Sequence, residues 1–236
     1  MNEKQLHDRP LKADLHIHTA EDPLDWVPYT AQELLIKAAA DGFEVLAITN
    51  HHCRTHTQAL SSLARDLGIL LIPGIEISIQ NRHILILNPP PQTNFFDFSS
   101  LASLNRPDCL VIAPHPYFPG FHSLNGYLRE HLQLFHALEY CHFYTSYFNF
   151  NHQVRQLSLS SGLPLLGSSD AHFLDQLGTT YSLISAQKDL VSVFSAIRQG
   201  KVEIVSRPLS SLQLGSLMGR FLSWRIRGKK PILPKR

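Results

Sequence analysis

Short apolar runs separated by stretches of helical periodicity extend along most of the chain. The runs are typical of buried strands, and the spacing of apolar residues between them is typical of amphipathic helices. Strands are predicted at residues 11–17, 43–49, 69–72, 84–87, 109–113, 137–140, 163–166, 180–184 and 202–205. Helices are predicted at residues 30–41, 55–66, 95–104, 127–135, 146–161 and 190–198. This alternation predicts an α/β domain with a mostly parallel sheet, and seven or eight β-α steps fit its length.

Histidine and carboxylate side chains stand at the ends of these predicted strands. In the first strand, Asp14, His16 and His18 are two residues apart, so all three should point to one face. The pair Asp170 and His172 repeats this spacing. The full set is His16, His18, His51, Glu76, His83, His115, Asp170 and His172. Because a β/α barrel builds its site at the carboxyl ends of its strands, we expect these side chains to converge there.

Neutral imidazoles and carboxylates are ligands that zinc, manganese and iron accept. Burying so many titratable groups without partners would be very costly, and a bound metal removes that cost. Eight donors exceed one tetrahedral site, so the sequence predicts two or three divalent ions, with Glu76 suited to bridge them. Asp22 or Glu21, in the acidic loop after the first strand, can reach a metal beside His18. An ordinary acidic loop before the next helix is the alternative.

The length and composition of the chain are typical of one large domain. The chain has 236 residues, of which 44% are hydrophobic, 17% are charged and 14 are histidine. Three cysteines form no paired framework, which indicates a reducing compartment. The polar first ten residues lack the apolar core of a signal peptide, and no apolar run is long enough to span a membrane. We therefore expect a cytoplasmic protein, and nothing in the sequence indicates an oligomeric state.

Charge divides the chain into an acidic body and a basic tail. Residues 1–203 hold 13 Lys and Arg against 19 Asp and Glu, whereas residues 204–236 hold eight Lys and Arg and no acid. We therefore predict a polar segment at 1–10, a catalytic barrel at 11–205 and a basic tail at 206–236. Apolar residues at helical spacing in the tail predict a helix that packs on the barrel. The alternative is a contact with a phosphate-rich partner, either nucleic acid or an anionic membrane surface.

Six short motifs carry a family resemblance. They are DLHIHT at 14–19, ITNHH at 48–52, PGIEI at 73–77, HIL at 83–85, APHP at 113–116 and GSSDAH at 167–172. Their order resembles the PHP superfamily (polymerase and histidinol phosphatase), whose members are metal-dependent phosphoesterases. The resemblance implies a distorted (β/α)7 TIM-like barrel with the metal site at the carboxyl ends of its strands.

The resemblance also implies which residues hold each ion. His16, His18, Glu76 and Asp170 would hold the first ion, and Glu76 would bridge to a second held with His83 and His115. His51 and His172 would hold a third, together with Asp22 or Glu21. The chain departs from the family at Asn50, where an aspartate is usual, and this puts the affinity of the third site in doubt.

The expected reaction is hydrolysis of a phosphomonoester by a metal-activated bridging water. Glu76 and Asp170 would be the catalytic carboxylates, and His52 or His142 would be the general acid for the leaving oxygen. Arg54 and Arg82 are candidates for holding phosphate, with solvated surface arginines as the alternative. The aromatic stretch from Tyr117 to Phe150 is core packing or a surface that stacks a base, which leaves a nucleotide-like substrate open.

Two other functions fit the same residues. One is a nuclease or phosphodiesterase that uses the same metals, together with the basic tail, on nucleic acid or oligonucleotides. The other is a metal-binding regulatory module without catalysis. The phosphatase is the leading hypothesis, and the nearly complete ligand set argues against the regulatory module.

Overall fold

The computed structural model describes residues 9–91 and 95–227, without the side chains of residues 224–227. The polar segment predicted at 1–10 therefore lies outside the described residues up to position 8, as does the basic end of the tail from residue 228. None of the helices within the described residues is long and apolar enough to cross a membrane.

Nine strands form one sheet in the order β7-β6-β5-β4-β3-β2-β1-β8-β9. Their bounds are β1 Leu11–Ile17, β2 Val45–Ile48, β3 Leu70–Ile79, β4 Arg82–Leu87, β5 Leu110–Ala113, β6 Ala137–Cys141, β7 Leu165–Ser168, β8 Thr180–Ile184 and β9 Val202–Ser206. The α-helices are α1 Ala31–Ala40, α2 Gln58–Asp66, α3 Gly126–Glu130, α4 Asn151–Ser161, α5 Leu190–Arg198 and α6 Ser211–Arg227. The sheet curls into a nearly closed barrel, which confirms the predicted TIM-like α/β fold.

The sheet is not mostly parallel, as the alternation of strands and helices predicted. Strands β1, β2 and β3 pair in parallel, as do β5, β6 and β7, but β4 and β8 are antiparallel to their neighbours. The reason at β4 is a tight hairpin. Gln80 and Asn81 both have positive φ, 51° and 62°, as a type I′ turn requires. No crossover helix separates β3 from β4.

Three predicted helices differ from the structure. Residues 95–104 and 127–135 form short 3₁₀ and α segments instead of continuous α-helices. His131 has a φ of −121°, which ends α3 after five residues. The helix predicted from residue 146 begins at Asn151, because the Asn151 side chain binds the backbone N–H and C=O of Cys141. The segment before Asn151 is therefore a loop that returns to the end of β6.

The barrel closes between β7 and β8 through one hydroxyl group. The Ser182 Oγ accepts a hydrogen bond from the Gly167 N–H and donates one to the Gly167 carbonyl. A Cβ at Gly167 would lie 2.8 Å from Ile204 Cγ2 and 2.9 Å from the Tyr181 carbonyl oxygen, so this approach requires glycine. At the mouth, the His18 N–H donates to the Ala171 carbonyl and joins the end of β1 to the loop after β7.

An irregularity in β1 turns its histidines into the barrel. Ala13 and Leu15 pack in the inner core, and strict alternation would place Ile17 there too. Instead the pairing with β2 shifts between Asp14 and Ile17, and Ile17 packs in the outer core against α1. His16 and His18 therefore face inward at the mouth. Asp14 does not share their environment, which corrects the expectation of one common face.

Candidate metal centre

The predicted donors converge at the mouth of the barrel, most of them at or after the carboxyl ends of strands, whereas His83 lies at the amino end of the antiparallel strand β4. Each donor comes from a strand or from the loop after it, and most are buried. The converging side chains are His16 and His18 of β1, His51 after β2, Glu76 of β3, His83 of β4, His115 after β5, and Asp170 after β7.

One oxygen of Glu76 faces three imidazoles. Its Oε2 lies 3.4 Å from His16 Nε2, 3.2 Å from His18 Nε2 and 3.2 Å from His51 Nε2. Each of these three histidines turns its other nitrogen outward to a carboxylate. This group, called here the Oε2 set, consists of His16, His18 and His51.

The outward nitrogens of the Oε2 set are hydrogen-bonded. His16 Nδ1 donates to Glu139 Oε1 at 2.9 Å, and the Nδ1 atoms of His18 and His51 both donate to Asp22 Oδ2 at 2.9 Å. Because the carboxylates accept at Nδ1, the Nε2 atoms carry the lone pairs of the neutral rings. A carboxylate behind a ligand imidazole is the arrangement that orients histidines at metal sites.

The second oxygen of Glu76 faces two other imidazoles, called here the Oε1 set. Glu76 Oε1 lies 2.8 Å from His83 Nδ1 and 3.5 Å from His115 Nε2, but it has no hydrogen-bond partner among the described residues. The buried Nδ1 of His115 is likewise without one. The His83 ring stacks on His122 at 4.5 Å. Glu76 thus spans two groups of nitrogens, one on each oxygen.

Asp170 completes the inner ring of donors. Its Oδ1 lies 3.3 Å from the Nε2 atoms of both His16 and His18. Its backbone has a φ of 45°, and His115 also has a positive φ of 29°, which non-glycine residues rarely adopt. The Asp14 carboxylate accepts from the N–H of Ser169 at 3.1 Å and so fixes the turn that presents Asp170. Burial raises the pKa of Asp14 to about 7.

The donor geometry fits metal ions. Three groups have ligand atoms within 4.8 Å of one another: His16, Glu76 and His115; His16, His18 and Asp170; and His18, His51 and Glu76. The Nε2 atoms of His16 and His18 lie 3.3 Å apart, a close approach that a shared cation makes favourable.

The electrostatics of the site favour positive charge. Burial alone would lower the pKa of His16, but the carboxylates of Asp170, Glu139 and Glu76 raise it well above its ordinary value. Burial would raise the pKa of Glu76, but His83 and His16 hold it well below its usual range. A cluster that keeps its carboxylates ionised while buried attracts protons or metal ions.

The structure groups the third set of predicted ligands differently. Asp22 lies behind His18 and His51 instead of among the converging atoms, and Glu21 accepts from the Ala31 N–H at the start of α1. His172 turns its Nε2 to Asp25 Oδ2 at 2.9 Å. None of these three residues belongs to the groups that could hold an ion within the described chain.

Asn50 has a structural role in this chain. Its Oδ1 accepts from the Thr19 N–H at 2.9 Å, and its Nδ2 donates to the hydroxyls of Thr19 and Thr55. The side chain is fully buried and lies outside the ligand groups. The amide both accepts and donates, so Asn50 joins the loops after β1 and β2.

Two of the predicted catalytic residues do not reach the cavity above the cluster. His52 has a φ of 50° and an exposed side chain, and Arg54 donates to the Pro89 carbonyl at 3.3 Å. Arg82 donates to the carbonyls of Phe121 and Ser123. Among the side chains that the structure describes, those lining the cavity include no Lys or Arg. Neither Arg54 nor Arg82 lines this cavity, so a contact of either with phosphate stays a prediction.

His142 does line the cavity, and its tautomer is fixed by Gln176. The Gln176 Oε1 accepts from the N–H groups of His172 and Phe173, so its Nε2 must donate to His142 Nε2 at 3.0 Å. His142 therefore carries its proton on Nδ1, which has no partner among the described residues. Burial lowers the pKa of His142 to about 4, so the ring is neutral near pH 7.

Sequence reasoning missed two residues of the site and only touched on a third. Asp25 holds His172, and Gln176 holds His142, but neither stands at a strand end. Glu139 received no role at the metal site from the sequence. A charged residue inside a short buried strand was the signal that could have identified its role.

Comparison with known proteins agrees with this site. Residues 14–159 match the PHP domain, and residues 148–202 match the PHP-associated region. The chain is 31% identical over 119 residues to the uncharacterized protein MJ1587 of Methanocaldococcus jannaschii, covering 46% of this chain and 70% of that protein. The chain therefore belongs to the PHP domain family, whose members are metal-dependent hydrolases.

Solved structures show the same fold at low identity. PsfC from Pseudomonas syringae matches with a TM-score of 0.62 and 17% identity, over 93% of this chain and 99% of that chain. The lesion-specific endonuclease PfuEndoQ from Pyrococcus furiosus matches with a TM-score of 0.61 and 14% identity, over 88% and 66%. At these identities the likeness concerns the fold alone.

Proposed function

We propose that this protein is a metal-dependent phosphatase that hydrolyses a small phosphomonoester. The observation that carries the proposal is the position of Glu76, whose two oxygens face two separate groups of imidazoles. Two or three divalent ions (Zn, Mn or Fe), when bound by this set, would supply Lewis acidity and a water acidic enough to attack a phosphoryl group.

The chain's own residues would prepare the site for this reaction. Asp22 and Glu139 hold the rings of the Oε2 set so that their lone pairs point inward. Asp170 projects from a backbone turn that Asp14 fixes. Such preorganisation lowers the barrier because the ligands need not rearrange as charge develops.

His142 is better placed than His52 to contact the leaving group. It lines the cavity and has an Nδ1 without a hydrogen-bond partner among the described residues, whereas the His52 side chain lies outside the cavity lining. Because its pKa is lowered to about 4, His142 would donate a hydrogen bond to the substrate without releasing a proton. This changes its expected role from general acid to positioning donor.

A nuclease is the second candidate. Its support is the likeness of fold to PfuEndoQ and the basic composition of residues 204–236. Against it stands the cavity, whose described lining side chains include no Lys or Arg to hold further phosphates.

Phosphate release and oligonucleotide cleavage, measured side by side on Mn- or Zn-loaded protein, separate the two candidates. We expect release of phosphate from a panel of phosphomonoesters and no cleavage of single- or double-stranded oligonucleotides. His16→Ala should abolish the activity. Cleavage of oligonucleotides without phosphatase activity would support the nuclease, and neither activity in fully loaded protein would support the regulatory module.

A further inference from the structure

The cavity above the metal centre has two chemically different sides. It has a volume of about 510 Å³, and its floor is the cluster of imidazoles and carboxylates. Its lining also includes apolar side chains of the loop after β5, the loop after β6 and helix α6. This side, called here the apolar wall, consists of Phe118, Phe121, Phe143, Met218, Phe221 and Leu222.

Helix α6 is fixed against the barrel at the edge of this cavity. Leu217 is buried with Phe173 and Leu209, and Arg220 binds Asp175 through two hydrogen bonds of 3.0 and 2.9 Å. The guanidinium also stacks over the Phe173 ring at 4.1 Å. These contacts place the helix as part of the wall.

The apolar wall begins at His172, whose ring stacks on that of His18 in the metal centre with 4.4 Å between centroids. The Phe221 ring contacts the His172 ring with 5.6 Å between centroids, and Phe118 meets Phe143 edge to face at 5.4 Å. Toward solvent the wall ends in Phe121, which is 89% exposed, and Leu222, which is 60% exposed. Large exposed apolar side chains grouped at the mouth of a site are typical of a surface that a ligand covers.

From this arrangement we infer that the substrate is a phosphomonoester of an uncharged apolar alcohol, whose alkyl or aryl group packs along the apolar wall. The inference rests on the proposed phosphatase activity, because it places the phosphate at the metal centre. A second anionic group on the substrate would find no Lys or Arg among the described lining side chains. An apolar group instead gains by removing these exposed side chains from water.

A series of n-alkyl phosphonates from methyl to octyl tests this inference by calorimetry on Mn-loaded protein. The phosphonates are not hydrolysed, so binding is measured separately from activity. We expect Kd to fall about twofold to fourfold for each added methylene until the wall is covered. The matching n-alkyl phosphates have nearly equal leaving groups, so kcat/KM should rise by the same factor.

Two variants test whether the apolar wall causes the dependence of Kd on chain length. Leu222→Ser and Phe121→Ser alter exposed side chains and should flatten the dependence of Kd on chain length. Leu159→Ser is the matched control, because Leu159 is 86% exposed on α4 and does not line the cavity. It should keep the wild-type dependence.

Several results would overturn the inference. They are equal binding of all phosphonates to the wild type, a preference for nucleoside monophosphates over hexyl phosphate, or a chain-length effect unchanged by both wall variants.

Binding of anionic lipid vesicles that needs Leu222 and Phe121, without a chain-length effect, would show that the wall faces a membrane. A normal chain-length effect without any hydrolysis would contradict the proposed function but would still support binding of an apolar group along the apolar wall. Absence of binding by every phosphonate would overturn both.

Discussion

The two oxygens of Glu76 face histidines that are held in different ways. On the Oε2 side, His16, His18 and His51 each donate their outer nitrogen to a buried carboxylate. On the Oε1 side, His115 has an unpartnered Nδ1 among the described residues, and His83 rests on the ring of His122. Glu76 therefore connects two halves of the centre. The Oε2 set, whose rings are held by carboxylates, is the rigid half, and the Oε1 set of His83 and His115 is the looser half.

One half of the centre is therefore preorganised for metal and the other is not. A carboxylate behind an imidazole fixes the ring and raises its basicity. Ring stacking fixes only the plane of the imidazole. We therefore expect an ion on the Oε2 side to bind more tightly than an ion on the Oε1 side.

Glu76→Gln should have the largest effect, because it changes both halves together. The amide cannot supply an anionic oxygen to each group. We expect kcat/KM for phosphate release to fall at least about a thousandfold, or roughly 4 kcal/mol of transition-state stabilisation. Glu139→Gln serves as the control, since within the described residues the hydrogen bonds of the Glu139 side chain go to His16 and the His115 N–H, and its loss should be smaller. Equal activity in Glu76→Gln and wild type would rule out Glu76 as the bridge.

Asp22→Asn should weaken only the rigid half. Asp22 Oδ1 accepts from the N–H groups of Leu24 and Asp25, so an asparagine would keep its oxygen there and turn its NH₂ toward His18 and His51. We expect the affinity of the tighter ion to fall about tenfold to a hundredfold, as measured by competition with a chelator.

Asp25→Asn is the matched comparison for Asp22→Asn. Asp25 Oδ2 accepts a hydrogen bond from His172, which lies outside the ligand groups, and lies farther away, at 3.9 Å, from His51 Nδ1. The affinity of the tighter ion should therefore stay within a few fold of wild type. If both variants lose the same affinity, the effect of Asp22 is general charge and not orientation.

His122→Ala should weaken only the looser half. His122 is exposed and stacks on His83, and such ring pairs contribute about 0.5–1.5 kcal/mol. We expect a loss of about twofold to tenfold in the affinity of the weaker ion in the same chelator titration. His122→Phe, which retains a ring, should restore it. A change in the tighter ion instead would contradict the division into two halves.

The surroundings of His136 lower its pKa, whereas those of His16 raise the pKa of that ring. Its Nδ1 accepts from the Val111 N–H, and burial lowers its pKa to about 4 from an ordinary value of 6.5. The unfolded chain thus binds a proton more readily, so this contribution to stability is present above pH 6.5 and is lost as the pH falls toward 4. His136→Asn should reduce the loss of stability between pH 7 and pH 5 in urea unfolding. An unchanged pH dependence would show that His136 is not buried in its neutral form.

Much of the site could be predicted from the positions of polar residues at strand ends. Apolar runs in the sequence precede His16, His18, Glu76 and Asp170. The structure brings the ligand atoms of these residues into groups within 4.8 Å of one another. The inward direction of His16 and His18, however, depends on an irregularity in β1. The pattern of alternation alone does not contain that irregularity.

The other features of the site and the fold depend on tertiary contacts that no local sequence pattern encodes. Asp25 reaches His172 across 147 positions of the chain, and the positive φ of His52 turns the segment before Arg54 away from the cavity. The antiparallel strand β4 followed from a Gln80–Asn81 turn that lacks the usual glycine. The helical spacing of the tail predicted α6, but not that Phe221 would meet the ring of His172.

The metal content of protein purified without a histidine tag tests the central claim most directly. Elemental analysis should find two or three equivalents of Zn, Mn or Fe per chain, accompanied by release of phosphate from a phosphomonoester. Less than one equivalent, not recovered after adding Mn or Zn, would contradict a centre built on the two oxygens of Glu76.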